Sequence, residues 1–275
     1  MKDKIEVAIL LSTYNGENYL YEQVGSVLKQ HIESNYVMKI YIRDDGSSDN
    51  TLLIINDLVS KYNNINFIHD GLKLGARLSF AKLLMDVKAD YYLLCDQDDI
   101  WNNDKVCISL KSINNHDNVP TLFFTDLNLV DEHGDSLGIS FWKHQKIKTC
   151  FFSNPNNFIY NSLVTGCTIA INKKLRDEFI SLEIPWYDIF YHDQMLSILA
   201  AKIGSVKYSS SCTINYRQHS HNVVGSNNFS FMNKAKIAFC YASRIKSLHI
   251  VLKWYKISMF RFICGKLFLM LKRVV

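Results

Sequence analysis

Four short strand-like runs, each ending in a polar or acidic loop, constrain this fold more than any other feature of the sequence. They are Val7–Leu11, Met38–Ile42, Ile65–Ile68 and Tyr91–Cys95. The first is apolar at every position, which is typical of a strand buried on both faces of a parallel sheet. In open sheets of this kind, ligands bind at the edge where the carboxyl ends of the strands lie. The polar loops are therefore expected to line one edge of the sheet.

Segments with the apolar spacing of helices separate these runs, at 17–31, 50–62 and 76–88. Strands that alternate with helices predict an α/β domain with a mainly parallel central sheet. The second half of the chain is less regular. Its predicted elements are a strand at 122–124, a loop or hairpin at 126–138, a strand at 163–171, helices at about 173–182 and 193–203, and a helical tail from about 232.

Three carboxylates in four residues, Asp96, Asp98 and Asp99, follow the fourth run directly. Like charges at this spacing repel one another unless a cation or solvent relieves them. At the end of a strand they could share a divalent metal that also grips a diphosphate, because Mg²⁺ and Mn²⁺ favour oxygen ligands. The triplet alone is explained equally well as a solvated acidic turn at the start of a helix.

Charge is distributed unevenly along the chain. The net charge is +5, yet all 26 acidic residues lie at or before Asp193, and 13 of the 31 basic residues follow it. A basic tail behind an acidic body predicts an anionic partner, such as a diphosphate-bearing substrate or an anionic lipid surface. Nucleic acid is disfavoured, because no recognition motif accompanies the charge.

The 7 cysteines include no CxxC pair, which argues against a zinc site or a disulfide framework and favours reduced thiols in a cytosolic setting. The first residues are charged and unlike a signal peptide, and no apolar stretch is long enough to span a membrane.

Three motifs occur in order along the chain: Ser-Thr-Tyr-Asn at 12–15, Arg-Asp-Asp-Gly-Ser-Ser-Asp-Asn-Thr at 43–51, and Asp-Gln-Asp-Asp-Ile-Trp at 96–101. Together they resemble the motifs of family 2 glycosyltransferases with the GT-A fold, over about residues 5–225. The form of the last motif looks most like bacterial rhamnosyltransferase-type members that build surface polysaccharides.

The resemblance implies a nucleotide-sugar donor site with a bound Mn²⁺ or Mg²⁺. The expected donor-binding residues are Thr13, Tyr14, Asn15, Asp44, Asp45, Arg77, Asp96, Gln97 and Arg217. The expected metal ligands are Asp98, Asp96, Asp99 and His219, with Asp98 the best candidate and Asp99 in a supporting role. One departure concerns the frame Gly-x-x-(Arg/Lys)-Asn-Phe of many relatives. Here Arg77 lies one position early and Ser79 replaces the asparagine, so Arg77 is as readily explained as a helix-surface residue.

Inversion requires a base that deprotonates the acceptor hydroxyl. The resemblance implies that Asp193 is this base, with Asp188 the weaker alternative, although an aspartate here also suits a helix cap. The expected acceptor-binding residues are Thr165, Gly166, His192, Gln194 and Trp186. The segment 216–225, Tyr-Arg-Gln-His-Ser-His-Asn-Val-Val-Gly, resembles the motif that closes over the donor, where Arg217 would pair with the diphosphate and His219 complete the metal shell.

These observations predict a GT-A domain at 1–228, with a nucleotide-sugar half at 1–110 and an acceptor half at 111–228, followed by a tail at 229–275. The tail reads as a basic amphipathic helix for a membrane surface, or as a core-packing or homodimer contact. The resemblance implies inverting transfer of a sugar from dTDP-rhamnose or a UDP-hexose to a glycan acceptor. The acceptor is expected to be lipid-linked and to belong to capsule or O-antigen synthesis, at the cytoplasmic face of the bacterial inner membrane. Alternatives are an inactive nucleotide-sugar-binding scaffold and a nucleotidyltransferase, the latter disfavoured because 12–16 carries no Lys or Arg.

Overall fold

The computed structural model describes residues 4–113, 118–219 and 234–274. The strands are β1 (Ile5–Thr13), β2 (Tyr36–Asp44), β3 (Ile65–Ile68), β4 (Tyr91–Cys95), β5 (Ile100–Trp101), β6 (Thr121–Val130), β7 (Ser136–Ser140), β8 (Ala170–Asn172) and β9 (Ser205–Arg217). The helices are α1 (Leu20–Leu28), α2 (Thr51–Lys61), α3 (Ala76–Asp86), α4 (Lys105–Ile113), α5 (Phe141–His144), α6 (Asn156–Tyr160), α7 (Lys173–Ile180), α8 (His192–Ile203), α9 (Lys234–Tyr255) and α10 (Met259–Val274).

One sheet holds all of these strands, in the order β3-β2-β1-β4-β8-β6-β9-β5, with β7 paired to β6 at the side. Strands β1 to β4 are parallel to one another, and β6 is parallel to β9. The short strands β5, β7 and β8 pair antiparallel with their neighbours. The predicted α/β fold with a mainly parallel sheet, flanked by helices and followed by C-terminal helices, is confirmed.

The sheet is covered on both faces, which explains the unbroken apolar run in β1. Ala8 and Leu10 belong to one buried cluster, and Val7, Ile9 and Leu11 belong to the other. Successive side chains of a strand point to opposite faces, so a central strand needs apolar residues at every position. The carboxyl ends of β1, β2 and β4 are thereby fixed side by side.

The predicted strand at 163–171 is wrong over most of its length. Residues Gly166–Thr168 form a turn of 3₁₀ helix, and only Ala170–Asn172 pair as strand β8. The carbonyl of Thr165 accepts hydrogen bonds from both the backbone N–H and the hydroxyl of Thr168, at 3.0 and 2.7 Å. These local hydrogen bonds turn the backbone away from β-sheet pairing. Serine and threonine side chains commonly compete with secondary structure in this way.

The tail forms two helices that pack on the domain. The break lies near Lys256, whose φ is 64°. Val251 and Leu252 of α9 and Phe262 and Leu269 of α10 are buried in the same cluster as one face of the sheet. Among the described residues, no helix combines the length and the apolar character that crossing a membrane requires.

Candidate active site

Gln97 joins the loop after β4 to the loop after β1. Its Oε1 accepts hydrogen bonds from the hydroxyl of Thr13 at 2.6 Å and from the backbone N–H of Tyr14 at 2.8 Å. Its Nε2 donates to the backbone oxygen of Tyr14 at 3.0 Å. A Cβ on Gly16 would lie 2.4 Å from Gln97 Oε1 and 2.8 Å from Thr13 Oγ1, so a larger residue would displace this hydrogen-bonded pair. The hydrogen bonds of Gln97 to Thr13 and Tyr14 therefore fix the two loops relative to each other.

The loops after β1 and β2 are bonded in the same way. The backbone N–H of Asn15 donates to the Ser47 hydroxyl at 2.8 Å, and the Asn15 side-chain oxygen accepts from the backbone N–H of Ser48 at 2.9 Å. Asp44 accepts from the backbone N–H groups of Gly46 and Ser47. The side chain of Asp44 thus holds the turn that presents this loop to the cleft.

Asp45 is tied to Arg43 and to the loop before α3. Its oxygens accept from Arg43 Nη1 at 2.8 Å and from the backbone N–H groups of Leu74 and Gly75, both at 2.7 Å. Arg43 is fully buried and also binds Asp70 through two nitrogens. A bidentate, buried arginine–carboxylate contact of this kind is geometrically specific. Asp45 is therefore already engaged in holding the loop at residues 70–75.

Ser79 takes part in the same network. Its hydroxyl accepts from Arg43 Nη1 at 2.8 Å and lies 2.6 Å from the hydroxyl of Ser12 at the end of β1. The residue that departs from the family frame therefore links α3 to β1 and β2.

The ring of Tyr14 lies open at the mouth of the cleft, with 44% of the residue exposed. Lys73 lies over this ring, with its Nζ 4.5 Å from the centroid, and donates to the Tyr14 hydroxyl at 3.1 Å. The sequence motifs did not single out Lys73, because the loop that carries it has no periodicity or family pattern. Its charge makes it a candidate for contact with a donor phosphate.

The three aspartates of the acidic cluster differ in exposure. Asp96 and Asp98 are partly exposed, whereas Asp99 is fully buried. Burial, reinforced by the charges of Asp98 and Asp193, raises the pKa of Asp96 to about 7. Burial also raises the pKa of Asp99 well above its usual value, and Asp99 Oδ2 has no hydrogen-bond partner among the described residues. Because burial and neighbouring acids make the negative charge of these carboxylates unfavourable, the site is suited to bind a cation.

The donor atoms present fit a hard divalent cation. Asp98 Oδ2 is hydrogen-bonded to His219 Nε2 at 2.8 Å, so these two potential ligand atoms lie side by side. An oxygen of Asp96, an oxygen of Asp99 and Cys167 Sγ also lie within 4.8 Å of one another. Burial raises the pKa of the Cys167 thiol well above its usual value. Mn²⁺ and Mg²⁺ prefer oxygen ligands to sulfur, so the carboxylates are the better candidates.

Arg217 supports the cluster from behind. Its Nε donates to the backbone oxygen of Asp98 at 3.0 Å, its Nη1 to the backbone oxygen of Glu132 at 2.7 Å, and its Nη2 to a carboxylate oxygen of Glu22 at 2.6 Å. The guanidinium also lies 4.7 Å from the ring centroid of Tyr19. The family resemblance implies a contact of Arg217 with the donor diphosphate. Its ion pair with Glu22 was not predicted, because Glu22 lies far away along the chain.

The remainder of that carboxy-terminal motif, 220–225, lies outside the described residues. His219 stacks on Tyr19, with ring centroids 5.2 Å apart, so its imidazole is held in place beside Asp98.

A buried lysine lies beneath the cluster. Lys105 is fully buried, its Nζ lies 4.8 Å from the ring centroid of Trp101, and no hydrogen bond to it is present among the described residues. Burial lowers the pKa of Lys105 to about 8, against the opposing pull of Cys167, Cys95 and Asp99. Lys105 thus places a positive charge behind Asp99. It was missed because a single lysine in a helix gives no sequence signal of burial.

Asp193 lies near the acidic cluster: its carboxylate is beside Gly166, and the next residue, Cys167, lies within 4.8 Å of Asp96 and Asp99. Its charge contributes to the raised pKa of Asp96. Its Oδ1 accepts from the backbone N–H of Gln194 at 2.7 Å, and the backbone N–H of Gly166 also stabilises the charged form. Burial outweighs these bonds and raises the pKa of Asp193 to about 6. A carboxylate with this pKa, open to the cleft, is suited to accept a proton near neutral pH.

Gly166 packs closely on α8. A Cβ there would lie 3.2 Å from His192 Nε2 and 3.8 Å from Asp193 Oδ2. His192 is buried, its ring centroid lies 4.4 Å from that of Phe80, and burial lowers its pKa to about 3, so the imidazole is neutral. Thr165 is partly exposed beside Gly166. These residues form the wall of the cleft on the Asp193 side.

Other predicted residues lie around this wall. Arg77 is near the start of α8, with its guanidinium 5.8 Å from the ring centroid of Tyr191. The side chain of Gln194 donates to the backbone oxygen of Phe158 at 3.5 Å. Trp186 is buried in the core, with its ring centroid 4.9 Å from that of Phe179, so its packing offers no support for contact with an acceptor.

The sequence is similar to those of known glycosyltransferases. Residues 8–178 match the family described as Glycosyl transferase family 2. The chain is 31% identical over 243 residues to a protein named dTDP-rhamnosyl transferase RfbG from Shigella flexneri, covering 82% of this chain and 77% of that protein. It is 26% identical over 219 residues to an uncharacterized glycosyltransferase of Rickettsia felis, covering 78% of this chain but only 34% of that protein.

Solved structures show the same fold. S. aureus TarS 1-349, determined in complex with UDP-GlcNAc, superposes with a TM-score of 0.60 at 18% identity, over 88% of this chain and 66% of that chain. The mannosyltransferase PcManGT from Pyrobaculum calidifontis, in complex with GDP-Man and Mn²⁺, gives a TM-score of 0.58 at 12% identity, over 89% and 65%. The present chain therefore spans about two thirds of the solved chains that it resembles.

Proposed function

Because this chain belongs to glycosyl transferase family 2, we propose that it transfers rhamnose from dTDP-rhamnose to a glycan acceptor, with inversion at the anomeric carbon. The choice of sugar rests on the likeness to the Shigella flexneri protein, which carries the name of a dTDP-rhamnosyl transferase. A UDP-hexose is the alternative donor. The observation that carries the proposal is the nearness of Asp193 to the Asp96 cluster: its carboxylate lies beside Gly166, and the next residue, Cys167, lies within 4.8 Å of Asp96 and Asp99.

The reaction is a single displacement. The acceptor hydroxyl gives its proton to a carboxylate oxygen of Asp193 while the hydroxyl oxygen forms a bond to the anomeric carbon. The bond from that carbon to the diphosphate oxygen breaks, and its electron pair leaves with the nucleoside diphosphate. A raised pKa makes Asp193 a stronger base than an ordinary aspartate and still leaves it ionised at neutral pH.

Asp98 and His219 would hold a divalent cation, Mn²⁺ or Mg²⁺. Asp96, which has an oxygen within 4.8 Å of one of Asp99, would be a further ligand. The cation supplies positive charge that stabilises the departing diphosphate. Arg217 fixes the backbone of Asp98, and Gln97 fixes the Thr13 and Tyr14 loop against which the nucleotide would lie. The chain itself thus supplies two groups of side chains: the acidic cluster, which would bind the cation, and Asp193, which would accept the proton of the acceptor hydroxyl.

We place the enzyme at the cytoplasmic face of a bacterial inner membrane, acting on a lipid-diphosphate-linked glycan in surface polysaccharide synthesis. The basic tail supports this proposal, because residues 229–275 contain ten Lys and Arg and no Asp or Glu.

The donor is tested with a panel of dTDP-rhamnose, UDP-glucose, UDP-galactose and UDP-GlcNAc in the presence of Mn²⁺. A donor that binds the folded state raises the melting temperature by mass action. The proposal expects the largest shift with dTDP-rhamnose, and a larger shift with a UDP-hexose would overturn the assignment of the sugar.

The catalytic role is tested by release of nucleoside diphosphate from the donor identified by the panel. Asp193→Asn is expected to reduce the rate by about 10²–10⁴-fold, the usual contribution of a general base, without loss of the donor-induced shift. Asp188→Asn is the matched control, because Asp188 accepts a hydrogen bond from the Ser247 hydroxyl at 2.7 Å instead of facing the cluster. If the wild type binds donor but releases no nucleotide with any acceptor tried, the chain is a binding protein and the proposal fails.

The metal site is tested by His219→Ala with His31→Ala as control, since His31 is exposed and paired only with Asp104 at the surface. The first change is expected to raise the Mn²⁺ concentration that gives half-maximal activity by about tenfold or more, and the second to leave it unchanged. Equal Mn²⁺ dependence in both variants would exclude His219 as a ligand.

A further inference from the structure

Helix α10 is held on the domain by one of its faces. Phe262 and Leu269 are buried in the core, and Gly265 lies so close to the ring of Tyr160 that a Cβ would be 2.4 Å from it. Arg273 donates to the backbone oxygen of Ser162 at 3.4 Å. These contacts fix the rotation of the helix about its own axis, and therefore which residues point away from the protein.

The face that points away is apolar. At 100° per residue, the exposed hydrophobic residues occupy an arc about 160° wide, centred opposite the docked face. They are Phe260 (78% exposed), Leu271 (67%), Phe268 (55%), Leu267 (54%), Met270 (53%) and Ile263 (49%). Contiguous apolar surface of this kind marks a site of interaction with a protein or a membrane.

Basic residues border the apolar arc on both sides. Arg261 and Lys272 lie along one border and Lys266 along the other, and all three are exposed. Lys272 Nζ lies 4.7 Å from the ring centroid of Phe268, so its alkyl chain runs beside the apolar face while its charge stays at the edge. An apolar centre with cationic borders is complementary to acyl chains beneath anionic headgroups.

A second copy of this chain is a poorer match for the same face. Two α10 helices packed together would bring like-charged borders against each other, and no carboxylate follows Asp193 to offset them. The same absence of acidic residues removes repulsion from an anionic lipid surface.

We propose that α10 lies in the plane of an anionic phospholipid bilayer, with Phe260, Leu267 and Leu271 among the acyl chains and Arg261, Lys266 and Lys272 at the headgroup phosphates. The helix contacts α6 and Ser162, in the segment that leads to Gly166 beside Asp193. This orientation of α10 brings the acceptor side of the cleft close to the bilayer surface, from which a lipid-linked glycan would reach it; this last point rests on the proposed function.

The experiment measures sedimentation of the full chain with vesicles of phosphatidylcholine, with or without about one third phosphatidylglycerol. The wild type is expected to bind the anionic vesicles and to bind the neutral ones at least tenfold more weakly. The triple variant Phe260→Asn, Leu267→Gln, Leu271→Gln is expected to lose at least tenfold in binding to the anionic vesicles. A matched triple variant, Leu53→Gln, Met85→Gln, Leu137→Gln, changes equally exposed apolar residues elsewhere and is expected to bind as the wild type does.

Nucleoside diphosphate release in solution separates this inference from the proposed function, because none of the six substituted residues lies at the cleft. Loss of vesicle binding with unchanged release supports the membrane seat. Failure of the wild type to bind vesicles, or unchanged binding by the α10 variant, overturns it whether or not the enzyme is active. If light scattering shows a wild-type dimer that the α10 variant converts to a monomer, without vesicle binding, the occupant is a second copy and the proposal is wrong.

Discussion

At neutral pH the ionised carboxylate of Asp193 lies in a partly buried cleft facing other acids, and its charge is unfavourable for folding. The pKa of this group is about 6 in the folded protein, against about 3.9 in an unfolded chain. Between these values the folded state binds more protons than the unfolded state, so the free energy of unfolding falls as the pH rises and levels off above about 6.

Asparagine carries no such charge, so Asp193→Asn is expected to be more stable than the wild type. Each unit of pKa difference corresponds to about 1.4 kcal/mol. The gain is therefore about 1.5 kcal/mol at about pH 5 and up to about 3 kcal/mol at about pH 7.5. The variant should be stabilised most under the conditions in which its loss of activity is greatest, as expected where a functional charge is held at the expense of stability.

Urea denaturation of both proteins at the two pH values measures this difference, with equal denaturant slopes as the check that the unfolded states are comparable. Asp188→Asn serves as the control, since it removes a carboxylate from the same segment outside the cluster. In the wild type, nucleotide release should also rise about tenfold between about pH 5 and about pH 7, as Asp193 loses its proton. A variant no more stable than the wild type at either pH, together with a flat pH profile, would refute this account of Asp193.

Two further predictions concern the loops of the cleft. Gly16→Ala places a Cβ 2.4 Å from Gln97 Oε1, and we expect it to lower the free energy of unfolding by about 1–3 kcal/mol and to weaken donor binding. Gly25→Ala is the control, because open space surrounds Gly25, and we expect it to raise the free energy of unfolding by about 0.5–1 kcal/mol. Denaturation measures the stability of both variants, and the donor-induced shift in melting temperature measures donor binding. Arg43→Met leaves buried carboxylates unpaired, and we expect urea denaturation to show a free energy of unfolding lower by about 3–5 kcal/mol. Lys61→Met breaks an exposed ion pair, and we expect it to leave the urea midpoint unchanged. A cost for Lys61→Met as large as that for Arg43→Met would show that burial of the ion pair is not the cause.

The sequence predicts the first half of the fold well because its signals are local. Strands β1 to β4 are marked by apolar or strand-forming runs, and the acidic and hydroxyl-rich loops that follow them must lie at one edge once the strands are parallel. The strand expected around Gly166 failed because Thr165 and Thr168 bond locally, an outcome that depends on backbone geometry rather than on apolar content.

The site was predicted less completely than the fold. The opposition of Asp96 and Asp193 came from family resemblance, since no spacing rule connects residues so far apart in the chain. The partners of Arg217 and of Asp45 could not be found in this way. Glu22 meets Arg217, and the loop at 70–75 meets Asp45, only after helices and strands have packed, so the sequence shows the charges without showing what each will bind.

The docking of the tail on the acceptor side of the cleft has a consequence for how such enzymes diverge. Gly265 fits against Tyr160, Arg273 reaches Ser162, and Ser247 bonds Asp188 shortly before Asp193. Recombination that exchanged residues 156–193 without the tail, or the tail without them, would leave both surfaces mismatched. The region that receives the acceptor and the helices behind it are therefore expected to be inherited as one unit.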